Sequence, residues 1–341
     1  MIRILRHSSR RLLNSVAALI LYVIFAPNVS RAQTAQADVQ QPLRVTTEIV
    51  RLNVSVLAND GTFIGGLEQK KFRIVDNGSD QPIVFFAPED TPAHILVLLE
   101  TSPAVYLIQD QHLSAAYALV NGLAPDDQVS LATYDDAPHY VLPFTTNKTA
   151  LTDAVGQIQY NLGMGQLSLF DSIAAVLDRV ASVPGKKALI LLTTGLDSSS
   201  SNRWDPLIQK IRGQDVVIFP IALGGALRRS PEKRKKTDAP PTATTLLFEN
   251  ADRALFALAS MTGGNAFFPV SPKDFIPVYH QIAVALRHQY VLGIAPQHDG
   301  KFHPLSVQVL DSNGQPAPKE GKNSVYQVFV REGYLAPGQN P

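Results

Sequence analysis

The chain has 341 residues, 45% of them hydrophobic and 17% charged, with a formal net charge of +1. Such a chain is globular, with length for one large domain or two modest ones, and nothing in its charge balance points to nucleic acid. It has no cysteine, which excludes a disulfide framework, a thiolate metal site, a cysteine nucleophile and a lipid-bearing cysteine.

The N-terminus reads as an export signal. Arg3, Arg6, Arg10 and Arg11 flank an apolar run, Leu12 to Phe25, of about the length of a signal-peptide core. Ser30-Arg31-Ala32 supplies small residues at both positions that signal peptidase reads. Residues 1–32 are therefore expected to be cleaved, and the protein to be periplasmic or extracellular. An uncleaved anchor is the alternative, but the run is short for a bilayer span. No stable membrane insertion is expected after cleavage. Ser9-Arg10-Arg11-Leu12-Leu13 matches a twin-arginine signal only weakly, and the apolar core favours the general secretory route. Five of the 30 basic residues would leave with the signal, so the processed chain carries 25 against 29 acids. An exported protein without disulfides is held by its own core, which fits a bacterial source.

Residues 33–43 are polar and rich in Gln and Ala, the composition of a disordered linker. Residues 44–90 read as all-β. Val50, Leu52, Val54 and Val56 alternate onto one face, and FRIVDNGSDQPIVFFA is strand, Asn-Gly turn, strand. The texture changes over 91–288. HILVLL, KKALILLTT and DVVIFPIAL are continuous apolar runs, consistent with strands buried on both faces. Between them, 107–123, 149–158, 169–182, WDPLIQKIRG and 249–263 have helical spacing, and GNAFFPV reads as a further strand before a last helix. Alternating strands and helices predict a doubly wound, mostly parallel α/β sheet. Residues 289–336 are β again. One β-sandwich built from both ends, with the α/β domain inserted, is the economical reading. Two separate lobes of this size would be marginal.

The segment 224–245 stands apart. It carries six basic residues, Arg228 among them, against Glu232 and Asp238, and is rich in Pro. It reads as a mobile, solvated basic loop; a polyanion-binding or cleavable loop is the weaker alternative.

These residues together resemble the von Willebrand factor type A domain, in the form of the acidobacterial VWFA-related proteins. FRIVDNG resembles an N-terminal β motif of that family, HILVLLETS its first central strand, and LFDSIAAVL the helix after its Thr-bearing loop. ALILLTTGLDSSS resembles its fourth strand, and YVLGIAP and VFVREGYLAP its C-terminal strands. The resemblance implies a mostly parallel sheet with an antiparallel edge strand, and a metal-ion-dependent adhesion site at the C-terminal strand ends. The switch point of an open α/β sheet lies there too.

The metal motif departs from the family at each position. Asp-x-Ser-x-Ser is here Glu100-Thr101-Ser102-Pro103-Ala104. The family Thr falls on Leu167, or on Ser168 with a one-residue slip. The final Asp is Thr194. A hard divalent ion wants about six oxygens with carboxylate charge among them, and Glu100, Ser102, Ser168 and Thr194 supply one carboxylate. The expectation is a degenerate site that binds Mg²⁺ or another divalent ion weakly or not at all, and no other cofactor. Asp197 is the nearest spare carboxylate that could restore an ion.

Recognition of another protein would then fall to the loops 100–106, 163–168 and 194–205, with Thr101, Gln166 and Trp204 as candidate contacts. Trp204 would suit an interface if exposed, and packing on the sheet is its blander reading. No Gly-x-Ser-x-Gly elbow, His-Glu-x-x-His, P-loop or Gly-x-Gly-x-x-Gly is present. The histidines are scattered without ligand spacing. Asp126-Asp127 and Asp135-Asp136 read as turns and strand ends, and the serine run 198–201 as a flexible loop. The expected function is a non-enzymatic, adhesion-type protein-binding module. A structural subunit or scaffold of an envelope assembly is the alternative, and an unrecognised hydrolase a distant third. The partner is unidentified, and oligomerisation is left open.

Overall fold

A strand buried on both faces must put apolar side chains on alternate sides, and three of these strands do so. In the computed structural model, which describes residues 48–89, 91–106, 108–163, 165–225, 228, 242–317 and 326–338, the elements follow in this order. β1 (Val50–Ala58), β2 (Phe72–Asp76), β3 (Ser79–Gln81) and β4 (Phe85–Glu89) come first. Then come β5 (Ala93–Glu100), α1 (Pro103–Tyr106), α2 (Gln109–Gly122), β6 (Gln128–Tyr134), β7 (Pro138–Thr145), α3 (Lys148–Gly156) and α4 (Leu169–Ala181). β8 (Lys186–Thr193), α5 (Trp204–Arg212), β9 (Val217–Ala222), α6 (Ala243–Thr262) and α7 (Phe275–Arg287) complete the α/β part. β10 (Gln289–Ile294), β11 (Phe302–Val309), β12 (Tyr326–Phe329) and β13 (Gly333–Leu335) close the chain. The export signal at 1–32 and the linker at 33–43 lie outside the described residues.

The central sheet has the order β7-β6-β5-β8-β9. β6, β5, β8 and β9 are parallel and β7 is an antiparallel edge. In β5, Ile95, Val97 and Leu99 face α2, α3 and α7, while Leu96 and Leu98 face α4, α5 and α6. β8 alternates the same way, with Ala188, Ile190 and Leu192 against Leu189 and Leu191. α4 buries Leu169, Ile173, Val176, Leu177 and Val180 at helical spacing. Each such side chain contributes about 1.5–3 kcal/mol by leaving water, so truncating Ile173, with no exposed surface, would cost about 2–5 kcal/mol.

The remaining strands form two antiparallel four-stranded sheets, β12-β1-β10-β4 and β13-β11-β2-β3. Leu52, Val54 and Leu292 of the first meet Phe72, Ile74 and Val307 of the second in one core. The two ends of the sequence therefore build a single β-sandwich. Asn77 and Gly78 both take positive φ, 48° and 85°, between β2 and β3, as a tight hairpin requires. The α/β part leaves the sandwich after β4 and returns at β10. These two strands are neighbours, with Glu89 opposite Gln289.

Two expectations are corrected. GNAFFPV is not a strand: Gly263 ends α6 at φ 82°, and only Phe267 bridges to Ile221. The backbone of Gly264 lies so close to β9 that an added Cβ would stand 1.9 Å from the Ile218 carbonyl oxygen, which leaves little room for a ladder of side chains. Nor does the loop run to 245. Thr242 caps α6, its hydroxyl accepting from Thr245 N at 3.2 Å, so the helix starts at Ala243 and the Pro-rich composition ahead of it conceals that start. Residues 229–241 lie outside the described residues.

One polar group is sealed into the sandwich. His303 Nδ1 lies 2.8 Å from Asp76 Oδ1 and Nε2 lies 3.1 Å from Asp299 Oδ1. Tyr334 donates to the other Asp76 oxygen at 3.1 Å. Burial acts to lower the His303 pKa, but the two carboxylates outweigh it and leave it raised. A raised folded pKa gives stability that is fully present below the unfolded value, about 6.5, and is lost as pH rises through the folded value. His303→Gln is therefore expected to lower the melting temperature more at about pH 5.5 than at about pH 8.5, as measured by calorimetry.

Candidate functional site

Parallel register brings three strand ends to one level. Glu100 ends β5 opposite Tyr134, which ends β6. Leu99 stands opposite Leu192 of β8, so Thr193 closes the same row. Gly195 makes the turn after β8 at φ 75°, where an added Cβ would stand 3.0 Å from Leu255 Cδ1.

Glu100 has no exposed surface. Ser102 Oγ donates to Oε1 at 2.6 Å and Thr194 N to Oε2 at 2.6 Å. Thr194 Oγ1 lies 3.0 and 2.9 Å from the two oxygens. Tyr134 OH and Thr193 Oγ1 each lie 3.1 Å from Oε2 and only 2.6 Å from one another. Of that pair, one proton goes to the carboxylate and the other to its neighbour. Burial first, then the charge of Glu100, push the Tyr134 phenol far above its ordinary range, so it keeps its proton. Four donors thus meet a carboxylate with about four lone-pair sites.

A cation stands behind this knot. Arg228 donates through Nη2 to the Thr194 carbonyl and through Nε to the Leu223 carbonyl at 3.1 Å, and pairs with Asp252 of α6. Its guanidinium lies 4.8 Å from the Phe248 ring centre and 5.8 Å from that of Phe268. Only 6% of its side chain is exposed. Burial pulls its pKa down to about 10 while Glu100 acts to raise it, so it is charged at neutral pH. The composition of 224–245 predicts a solvated arginine here. The buried pairing with α6 overrides it.

The expected site residues divide. Glu100, Ser102 and Thr194 come together. Ser168 does not join them: its hydroxyl pairs with Ser199 Oγ at 2.9 Å. Asp197 serves the start of α4, accepting from Phe170 N at 3.2 Å and Ser200 Oγ at 2.5 Å. Thr101 is buried and donates to the Tyr134 carbonyl at 3.1 Å. Gln166 is exposed. Trp204 is half-buried against Phe170, ring centres 5.5 Å apart, which is its blander reading. The serine run is pinned rather than flexible. Ser198 and Ser199 N–H donate to the Leu167 carbonyl at 2.8 and 3.1 Å, and Leu167 N donates back to Ser198 Oγ at 2.9 Å.

A hard divalent ion does not fit the groups around Glu100. The single carboxylate has its lone pairs taken by protein donors, and no second carboxylate bonds to the same donors. A second set lies at the β6–β7 hairpin, where Asp135, Asp136 and His139 offer ligand atoms within 4.8 Å of one another. That group could hold a metal ion, and it corrects the view that no histidine has ligand spacing: Asp135-x-x-x-His139 closes across a hairpin rather than a helix turn. Asp135 is already engaged, accepting from Asn161 Nδ2 at 2.9 Å and Asp136 N at 2.8 Å, with His139 Nε2 at 3.2 Å. Burial acts to raise its carboxyl, and these bonds outweigh it and hold the pKa low. Beside Glu100, on the solvent side, Ser102, Pro103, Ala104, Leu162, Gly163, Gly165 and Leu167 line an open groove.

Residues 94–261 match the family model of the von Willebrand factor type A domain. Among solved structures, the chain is similar to a von Willebrand factor type A protein from Catenulispora acidiphila, with 10% identity over 84% of this chain and 74% of that one, at a TM-score of 0.43. An aerotolerance-related membrane protein from Bacteroides fragilis is 13% identical over 56% of this chain and 98% of that one, at 0.40. Proximal thread matrix protein 1 from the mussel byssus, described with a zinc-occupied MIDAS motif, is 14% identical over 58% of this chain, at 0.40. The match spans 48% of the mussel protein's length. A comparison with curated proteins found no match.

The hydroxyls around Glu100 are not equivalent. Thr194→Val removes a donor that no neighbour replaces, and is expected to lower stability by about 1.5–3 kcal/mol in urea titration. Tyr134→Phe is expected to cost less, about 0.5–1.5 kcal/mol, because Thr193 then turns its proton to the carboxylate.

Proposed function

Because the chain carries a von Willebrand factor type A domain over residues 94–261, we propose that it is an exported, non-enzymatic, adhesion-type protein-binding module with a degenerate metal-ion-dependent adhesion site. Domains of this family are adhesion and protein-interaction modules. The observation that carries the metal-independent part of the reading is the saturated carboxylate of Glu100, which leaves no lone pair for an ion or for a partner's acid acting through one. Recognition then rests on the groove beside it. Leu162, 68% exposed, gives it an apolar lip beside Pro103, Ala104, Gly163 and Gly165, with Ser102 as its polar side chain. Export rests on the signal-like segment 1–32. Among the described residues no helix is long and apolar enough to cross a membrane. We take 91–288 as the inserted binding module, and 44–90 with 289–336 as its carrier.

Calorimetric titration with Mg²⁺, Mn²⁺ and Ca²⁺ tests the first half. The wild type is expected to give no heat, and a Glu100→Asp/Thr194→Asp variant to gain binding. Heat in the wild type that Glu100→Gln abolishes would overturn the degenerate reading. If Asp135→Asn abolishes it instead, the hairpin group is a metal site. Capture of partners from native cells tests the second half. Retention is expected to survive EDTA and to be lost with Leu162→Asp, and retention that needs Mg²⁺ would count against the groove.

A further inference from the structure

We infer that Arg228 is the resident cation of this face, an arginine that balances the charge of Glu100 from inside the fold where a divalent ion would otherwise be needed. The inference rests on the reading that no ion sits at Glu100.

Thr194 links the two charges. Its N–H and hydroxyl point at the carboxylate, at 2.6 and 2.9–3.0 Å, and its carbonyl accepts from the Arg228 guanidinium. One residue therefore offers positive dipole ends to the anion and a negative end to the cation. Asp252 completes the row from α6, so a single guanidinium serves two acids. Phe248 and Phe268 flank it, which suits the weakly hydrated, planar guanidinium better than an ammonium.

The backbone is shaped to bring it there. Gly224 takes φ 78°, a conformation that favours glycine. An added Cβ on Gly225 would stand 2.3 Å from the Pro269 carbonyl oxygen. Past these glycines Arg228 N donates to the Gly225 carbonyl at 3.2 Å, and its side chain reaches back to Leu223. The signature is Leu223-Gly224-Gly225 followed by Arg228. A bound divalent ion can be removed by a chelator. A guanidinium on the chain cannot, so this face keeps its charge balance in any calcium or magnesium concentration.

The test is a thermal double-mutant cycle on the chain without residues 1–32, in EDTA and in Mg²⁺, Mn²⁺ or Ca²⁺. The wild-type melting temperature is expected to be the same in all four. Arg228→Met is expected to lower it by roughly 10 °C, as for a buried pair deprived of one partner. In the Glu100→Gln background the same change is expected to lower it by less than half as much. Arg228→Lys, which keeps a charge, is expected to lose less than Arg228→Met. If Arg228→Met does not fold, Arg228→Lys takes its place in the cycle. An unchanged loss in the Glu100→Gln background, with coupling only to Asp252→Asn, would overturn the assignment of Arg228 and leave the metal-free reading standing. A wild-type melting temperature raised by an ion, with the rise abolished by Glu100→Gln, would overturn both.

Discussion

A carboxylate with no contact with water, at the end of a parallel strand, sets the terms for everything around it. Left alone there, an ionised group would be strongly disfavoured by desolvation. Glu100 is tolerated because each lone pair meets a donor and because a guanidinium lies one residue behind. Those donors come from three strands, β5, β6 and β8, and from the turns that follow them. The parallel register is thus not only a packing arrangement. A slip of one residue between β5 and β8 would turn the end of β8 the wrong way and carry off the N–H and hydroxyl of Thr194, two of the carboxylate's four donors. The same demand fixes Gly195, whose turn presents Thr194 N–H to the carboxylate, and the two glycines that carry Arg228 inward.

Sealing the charge changes what the strand-end face can do. With a metal and an open coordination position, such a face would grip an acidic group directly. Here the polar chemistry is turned inward, and what remains outward is the apolar lip of Leu162 beside small residues, Ala104, Gly163 and Gly165. The hairpin acids Asp135 and Asp136 with His139 adjoin the same segment, Asp135 accepting from Asn161 Nδ2 through its side chain and from Ser168 N through its carbonyl, so an anionic group stands close to the apolar lip. A surface of that kind selects by shape and by the placement of charge, which is what the proposed metal-independent recognition needs.

Much of this was legible in the residues themselves. ILVLL and ALILL read as strands buried on both faces, because an unbroken apolar run this short leaves no face for water. Glu100 and Thr194 stood out because a run of that kind ended in them. The partners Tyr134 and Thr193 could not be seen in the same way. Each is an ordinary strand residue, and its role comes from which strands become neighbours and in what register. Arg228 was concealed by its surroundings: a Pro-rich, strongly basic segment has the composition of solvated chain, and only the approach of α6, with Asp252, Phe248 and a start six residues earlier than its periodicity suggests, makes one of its arginines a core residue. Asp135 and His139 were hidden by a spacing that means one thing on a helix and another across a hairpin.

The sandwich has its own consequence. β1 and β13, the first and last strands among the described residues, lie in opposite sheets of it, while β4 and β10, which lead into and out of the α/β part, lie side by side in one. Tension applied along the chain would therefore run through the sandwich core and pass by the inserted domain. The strand-end face would keep its geometry under load until the pairing of β10 with β4 and β1 gave way. Under the adhesion reading proposed above, the mechanical fuse is in the carrier and not in the grip.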